Sequence, residues 1–140
     1  MTKDDKDKKI ITELKKNSRA SIRDLAKKTN VRPSTVHQRI KKLTEKGLIE
    51  QFTVKLNNKL ADENFIVFMF VATETNLDTK IFKNKHVKEV FGITGEYDLL
   101  FKMKFKDVEE FNNYILEFRK ETGIKKTITM VATITLKEEI

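Results

Sequence analysis

Apolar residues recur at two different periods along this chain, and the change of period divides it. In the first part the spacing is helical. Ile10, Ile11 and Leu14 form a narrow stripe within residues 4–16, and Ile22, Leu25 and Ala26 share one side of residues 21–28. Ser21 followed by Asp24 resembles a capping box with Asp in place of Glu, which opens the second helix. Asn30 tolerates the left-handed backbone that ends a helix sharply. Arg32 is pushed towards extended geometry by the proline after it. Pro33, the only proline, suits a first helical turn, where its missing N–H costs nothing. A third helix is therefore expected from about residue 33 to 46, stopping at Gly47. Beyond it the period drops to two. Residues 49–56, IEQFTVKL, alternate with one slip at Gln51-Phe52 and predict a strand leaving the helical unit. Residues 56–64, LNNKLADEN, read as a linker.

Residues 65–72, FIVFMFVA, are continuously apolar, and their length, aromatics and branched side chains favour a strand. A strand apolar on both faces must be covered on both. Ile81 and Phe82 hold a short helix over residues 79–85, and residues 87–94 form a strand. Gly95-Glu96, with glycine first, fits a two-residue type II′ hairpin turn. It leads into residues 97–105, where Tyr97, Leu99, Phe101, Met103 and Phe105 alternate with Asp98, Leu100, Lys102 and Lys104. Residues 107–120 make a helix capped by Asp107 with Glu110, apolar along Val108, Phe111, Ile115 and Phe118, and ended by Gly123. In residues 127–136, Ile128, Met130, Ala132, Ile134 and Leu136 alternate with Thr127, Thr129, Val131, Thr133 and Thr135. Strand, helix, strand, strand, helix, strand is the ferredoxin-like order, with both helices on one face. The opposite face is expected to carry the threonine rows and surplus apolar side chains. On a monomer that is a solubility liability, and a second copy of the sheet, in a two-fold dimer, is the simplest cover.

The third helix raises the question of chemistry. With Val36 at zero and about 100° per residue, Ile40 and Leu43 fall beside Val36. Ser34, Gln38, Lys41 and Lys42 point nearly opposite, with Thr35 and His37 on the flanks. That side has no Asp or Glu until Glu45, whereas an ordinary solvated face mixes both signs. A helix of about eight residues, a turn of about three and a second amphipathic helix is the helix-turn-helix plan, whose second helix enters the DNA major groove. Gln pairs bidentately with adenine, Ser and Thr reach several bases, and Lys meets guanine or phosphate. The candidate DNA contacts are Arg32, Ser34, Thr35, His37, Gln38, Lys41 and Lys42. A three-helix packing module with no DNA role would show the same spacing. Arg39, towards the edge of the buried stripe, fits a structural ion pair as well as a phosphate contact.

Charge sharpens this reading. Residues 1–60 hold 17 Lys and Arg against 7 Asp and Glu, a balance of +10, while residues 61–140 hold 12 against 14, a balance of −2. A lysine bias of the whole proteome would load both parts equally, so the first part is expected to meet a polyanion. Cysteine is absent, which removes disulfides, thiolate zinc sites and cysteine nucleophiles. His37 and His86 have no metal-ligand spacing, and neither GxxxxGK[ST] nor GxGxxG occurs. No catalytic residue, metal site or cofactor is expected, and the chain does not read as an enzyme. No run of about 18 apolar residues predicts a membrane span, and the charged start MTKDDKDKK is not a secretory signal. A cytoplasmic location is the expectation.

Together these segments resemble the Lrp/AsnC, or feast/famine, family of transcription regulators. The resemblance rests on DKDKKIITEL (residues 5–14), SIRDLAKKTNV (21–31), STVHQRIKKLTEKGLIEQF (34–52) and HVKEVFGITGEYDLLFKMKF (86–105), and spans essentially all 140 residues. It implies an α+β chain: an N-terminal three-helix helix-turn-helix domain (1–50), a linker strand and hinge (51–64), and a C-terminal ferredoxin-like βαββαβ domain (65–140) that dimerises. It further implies a sequence-specific DNA-binding regulator whose partners are double-stranded DNA and itself, as a homodimer or an octamer, with no membrane. Many members sense an amino-acid effector at contacts between dimers, and the loop in question corresponds here to Thr94, Gly95, Glu96, Tyr97 and Asp98. Where the family often has Gly in the helix-turn-helix turn, this chain has Asn30. The alternative from another class is a nucleoid-type architectural protein with little sequence preference. An RNA binder using the sheet is disfavoured, since residues 61–140 are net acidic and lack the basic, glycine-rich strand signature.

Overall fold

Three helices, α1 (Asp5–Lys16), α2 (Ile22–Thr29) and α3 (Pro33–Glu45), make the first of two units in the computed structural model, which describes residues 5–140. The expected start of α1 at Asp4 lies outside the described residues. Ile10, Leu25 and Val36, one from each helix, are fully buried together with Leu14, Ala26 and Val31. The Ser21 hydroxyl accepts from the Asp24 N–H at 3.0 Å, and α2 ends at Asn30 with φ 56° and ψ 41°. The hydroxyl of buried Thr29 donates to Leu25 O at 2.6 Å, so no polar atom is stranded beneath the turn. After α3 the N–H groups of Leu48 and Ile49 both donate to Leu43 O, folding Ile49 back onto the core.

The strand expected over residues 49–56 does not form. Phe52, Val54 and Leu56 are exposed, and the Ser18 hydroxyl donating to Thr53 O at 3.1 Å ties the segment to its own unit, which ends at Lys55. Alternation makes a segment able to pair, but a strand exists only when another backbone takes up its N–H and C=O groups.

The second unit, from Leu56 onward, is built on a four-stranded antiparallel sheet of β1 (Phe65–Thr73), β2 (Val87–Gly92), β3 (Leu99–Phe105) and β4 (Ile124–Val131), in the order β2-β3-β1-β4. β1 is central and pairs on both sides, with Met69 opposite Phe101 of β3 and Thr129 of β4. One face carries Val67, Met69 and Val71 with Phe101, Met103 and Phe105, all fully buried. Phe118 of α4 (Val108–Phe118) and Ile81 of a short 3-10 helix (Thr79–Lys83) close this core. The Asp107 carboxylate accepts from the Glu110 N–H at 2.9 Å, which caps α4 as expected.

Three expectations change. The first helix of the ferredoxin-like order shrinks to the 3-10 turn Thr79–Lys83. β4 begins at Ile124 and ends at Val131 rather than continuing to residue 136. The threonines lie on the helix side: Thr127 stands opposite Val71 and Thr129 opposite Met69. They stay wet because α4 packs against β3 and leaves β4, an edge strand, uncovered. The alternate residues Ile128 and Met130, opposite Phe70 and Phe68, face the other way and are 41% and 55% exposed.

That other face carries an ionic cluster. Lys102 and Lys104 of β3 point into it, opposite Phe68 and Ile66. Residues 132–140 leave β4 without regular structure and bring Glu138 within 2.6 Å of Lys102 Nζ and 3.0 Å of Lys104 Nζ. Asn58 donates to Glu138 at 3.0 Å and accepts from Lys104 at 2.7 Å. Lys102, then Asn58 and Lys104, hold the Glu138 carboxyl at about 2, below its ordinary 4.5. Because the folded value is depressed, this stabilisation is present above pH 4.5 and is lost as pH falls towards 2. Glu138→Gln is therefore expected to destabilise the protein at pH 7 by on the order of 2 kcal/mol. Urea denaturation from pH 7 down to pH 3 would show the gap between wild type and variant closing; a pH-independent gap would contradict it.

Candidate nucleic-acid interface and ligand loop

The exposed side of α3 is set by what the helix buries. Val36 and Leu43 are buried and Ile40 half-buried, which leaves Ser34, His37, Gln38, Lys41 and Lys42 exposed and Thr35 at the edge. Arg32, also exposed, precedes the helix in extended geometry, and no side chain caps the first turn. With Pro33 at the first helical position and no acidic residue in that turn, the N-terminal amides face solvent with the positive end of the helix dipole. All seven sequence-predicted residues thus fall on one continuous surface of the helix and its lead-in.

Arg39 is not part of that surface. Its guanidinium lies 3.6 Å from the Asp7 carboxylate of α1, and both side chains are largely buried. The pair ties the first helix to the third and fixes how α3 is presented. Lys41 approaches Glu45 only to 4.0 Å with both side chains exposed, a contact too loose to withdraw the lysine from a phosphate. Arg23, Lys27 and Lys28, on the exposed side of α2, were not singled out from the sequence. The helix-turn-helix plan carries the signal, since its first helix crosses the DNA backbone, and Arg23 and Lys27 share one face at i, i+4 spacing.

In the second unit the five loop residues are not a two-residue hairpin turn. β2 ends at Gly92, β3 begins at Leu99, and the loop closes by the Ile93 N–H donating to Asp98 O at 2.8 Å. The cause is Asp98. Its carboxylate accepts from the Thr73 N–H at 2.7 Å and the Thr73 hydroxyl at 2.6 Å, while its own N–H donates to Val71 O at 2.9 Å. β1 thereby draws Asp98 out of the hairpin ladder, and the Thr73 bonds hold its carboxyl below the usual range. Gly95, at φ 115°, takes the positive-φ corner that this wider loop requires.

Glu96 pairs with Lys126 of β4, and Lys126 Nζ stands 5.1 Å from the centre of the Tyr97 ring. The Lys126 ammonium lowers the Glu96 pKa, and Glu96 in turn raises that of Lys126. Tyr97 meets Phe70 edge-on at 6.0 Å. Of the five residues, Glu96 and Tyr97 converge on Lys126, Asp98 is engaged with Thr73, and Thr94 and Gly95 are exposed. Lys126 was missed because only the β1–β4 register brings it there, opposite Ala72. The cluster sets an anion and an aromatic face of the loop beside a cation of β4, complementary to a small zwitterion. Among the described residues no group of His, Cys, Asp and Glu could hold a metal ion, and no helix is long and apolar enough to cross a membrane.

Both units are similar to known proteins. A family profile for winged helix-turn-helix DNA-binding matches residues 3–50, and one for the Lrp/AsnC ligand binding domain matches residues 68–140. An uncharacterized HTH-type transcriptional regulator of Pyrococcus furiosus is 38% identical over 142 residues, covering 96% of this chain and 95% of its own. The HTH-type transcriptional regulator FL11 of the same organism is 34% identical over 139 residues, covering 96% and 92%. Among solved structures, a transcriptional regulator of Neisseria meningitidis in complex with L-Met superposes with TM-score 0.90 at 23% identity, over 99% of this chain and 94% of that one. LrpC of B. subtilis superposes with TM-score 0.85 at 25% identity, over 99% and 100%.

The turn that sets the angle of α3 gives a local test. Asn30 is exposed and left-handed, so a substitution there changes backbone strain and little else. Asn30→Gly is expected to leave stability nearly unchanged, whereas Asn30→Val costs about 1–2 kcal/mol. Urea denaturation of the two variants decides it, and equal stabilities would remove the strain argument.

Proposed function

The chain belongs to the Lrp/AsnC family of transcription regulators, and from that premise we propose that it binds chosen DNA sites as a two-fold dimer. Residues 1–50 are the DNA-binding domain, 51–64 the hinge, and 65–140 the domain that joins copies and takes an effector. α3 lies in the major groove. Ser34, Thr35, His37 and Gln38 reach base edges, while Arg32, Lys41 and Lys42, helped by Arg23 and Lys27, engage phosphates. The observation that carries this reading is the polar side of α3, free of acids up to Glu45 and held outward by buried Val36 and Leu43 in a part of the chain with a balance of +10.

Two features support self-association. Phe52, Val54 and Leu56 are an alternating, exposed segment without a partner strand, which the same segment of a second copy would complete. Phe91, Ile128 and Met130 lie exposed on the sheet face away from α4, where a second sheet would cover them. Dimers of this kind assemble further into octamers. A dimer presents two copies of α3 to two half-sites. Such a protein works where DNA is, in the cytoplasm, and has no catalytic role.

The effector is a small amino acid at the loop of Thr94, Gly95, Glu96, Tyr97 and Asp98. Its ammonium exchanges for Lys126 on Glu96, and its carboxylate takes Lys126 and the loop amides near Gly95. The Neisseria relative carries L-Met, which is compatible with this class of ligand. A lysine share of 24 among 29 basic residues favours the architectural reading as a second possibility, because lysine meets phosphate as a point charge without the fixed fork of arginine.

Footprinting on DNA selected from a random pool tests the main reading: protected half-sites are expected about one helical turn, roughly 34 Å, apart. Gln38→Ala is expected to weaken specific binding by about 1–3 kcal/mol and leave binding to random DNA unchanged. Equal losses on both, or sequence-indifferent protection, would favour the architectural protein. For the effector, titration calorimetry with single amino acids should show binding that Glu96→Gln weakens about tenfold or more. An unaltered affinity would move the ligand elsewhere.

A further inference from the structure

The sheet face away from α4 is largely apolar, with two lysines of β3 set beside Ile66 and Phe68 of β1. Phe91, Ile128 and Met130 are 53%, 41% and 55% exposed. Between them stand Lys102 and Lys104, on the same side of β3 and with side chains only 18% and 13% exposed. In a two-fold contact both such pairs, one from each copy, enter the same layer. Four ammonium groups in a drying layer would oppose association, because burial strengthens repulsion as much as attraction. The strands supply one anion, Glu89, 3.3 Å from Lys102 and half exposed.

The second anion comes from outside the sheet. Glu138 reaches both lysines from residues 132–140, which have no regular structure. Apolar packing within the chain does not hold this tail in place, since Ile134 and Leu136 are 70% and 88% exposed. Glu138 is its pin. With it, Lys102, Lys104, Glu89 and Glu138 balance to zero; Asn58 closes the cluster by bonding both Glu138 and Lys104. Without it each copy carries an uncompensated positive charge on the face.

We propose that the C-terminal tail, through Glu138, supplies the counter-charge that makes this sheet face able to receive a second copy of the chain. The tail is then a determinant of assembly: whatever displaces Glu138 charges the face and separates the protomers. This rests on the dimer reading above, and the experiment separates the two.

Full-length wild type, Glu138→Gln and the triple variant Glu138→Gln, Lys102→Met, Lys104→Met are compared by sedimentation equilibrium, with circular dichroism as a check of folding. Wild type is expected to dimerise. Glu138→Gln raises the dimer dissociation constant at least about tenfold. The triple variant, which has neither that anion nor the two cations, associates like wild type. If Glu138→Gln associates as tightly as wild type, the counter-charge role is wrong while the dimer stands. If the folded triple variant associates as poorly as Glu138→Gln, the tail acts by shape and the proposal is equally overturned. A wild type that stays monomeric at every concentration removes the dimer reading, and the inference with it.

Discussion

The second unit depends on one constraint: its central strand must be dry on both sides. Val67, Met69 and Val71 are fully buried on one face of β1, and Ile66 and Ala72 nearly so on the other. α4 and the 3-10 turn satisfy the first face with an aromatic core, in which Phe105 meets Phe111 and Tyr114 at 5.3 Å and Phe101 meets Phe118 at 6.0 Å. The second face has no helix. It is served by the ion-paired tail and by the exposed side chains of β2 and β4. A strand of this kind cannot be left half covered, because each large apolar side chain kept in water forgoes about 1.5–3 kcal/mol of burial. The exposed remainder of that face is the ground on which a second copy is proposed to cover it.

The first unit solves a different problem with similar means. It is small, and its core is a short set of side chains from three helices. What it must do is hold a polar ridge at a fixed angle. Three devices fix α3: Val36 and Leu43 in the core, the left-handed turn at Asn30, and the half-buried pair of Arg39 with Asp7. The last removes an arginine from the surface and uses it as a brace. Among the described residues, the only ion pair on the ridge itself is the loose Lys41–Glu45 contact.

How far the sequence revealed this follows from the range of the interactions. Helix ends were legible because their determinants are local: Ser21 with Asp24, Asn30 at the turn, Pro33 at the start, Asp107 with Glu110. β1 was legible because eight consecutive apolar residues admit few other readings. The exposed polar side of α3 was legible from its helical periodicity. What failed depends on partners far away in the chain. The threonines of β4 were given to the wrong face because a one-residue choice of register reverses every side chain. The hairpin at Gly95 is wider than its glycine suggests because Thr73 captures Asp98. Lys126 and Glu138 disappear among 24 lysines and 21 acids until the sheet sets them beside Glu96 and Lys102.

The two parts also use lysine in opposite ways, and this gives the charge asymmetry its meaning. In the second unit four of the five lysines in the strands are matched: Lys88 with Glu63, Lys102 with Glu89 and Glu138, Lys104 with Glu138, Lys126 with Glu96. The near-neutral balance there, 13 Lys and Arg against 14 Asp and Glu, is the outcome of neutralising cations where they approach a burial surface. Among the described residues of the first unit, the ion pairs join Lys16 to Glu13, Arg39 to Asp7 and Lys41 to Glu45, and only the Arg39 pair is substantially buried. Its surplus, 16 Lys and Arg against 7 Asp and Glu over residues 1–55, is therefore carried largely by side chains that remain hydrated, as cations that exchange water for phosphate and release counterions must be. One residue type serves both tasks because its environment, rather than its identity, decides whether the charge is consumed inside the fold or kept for a partner.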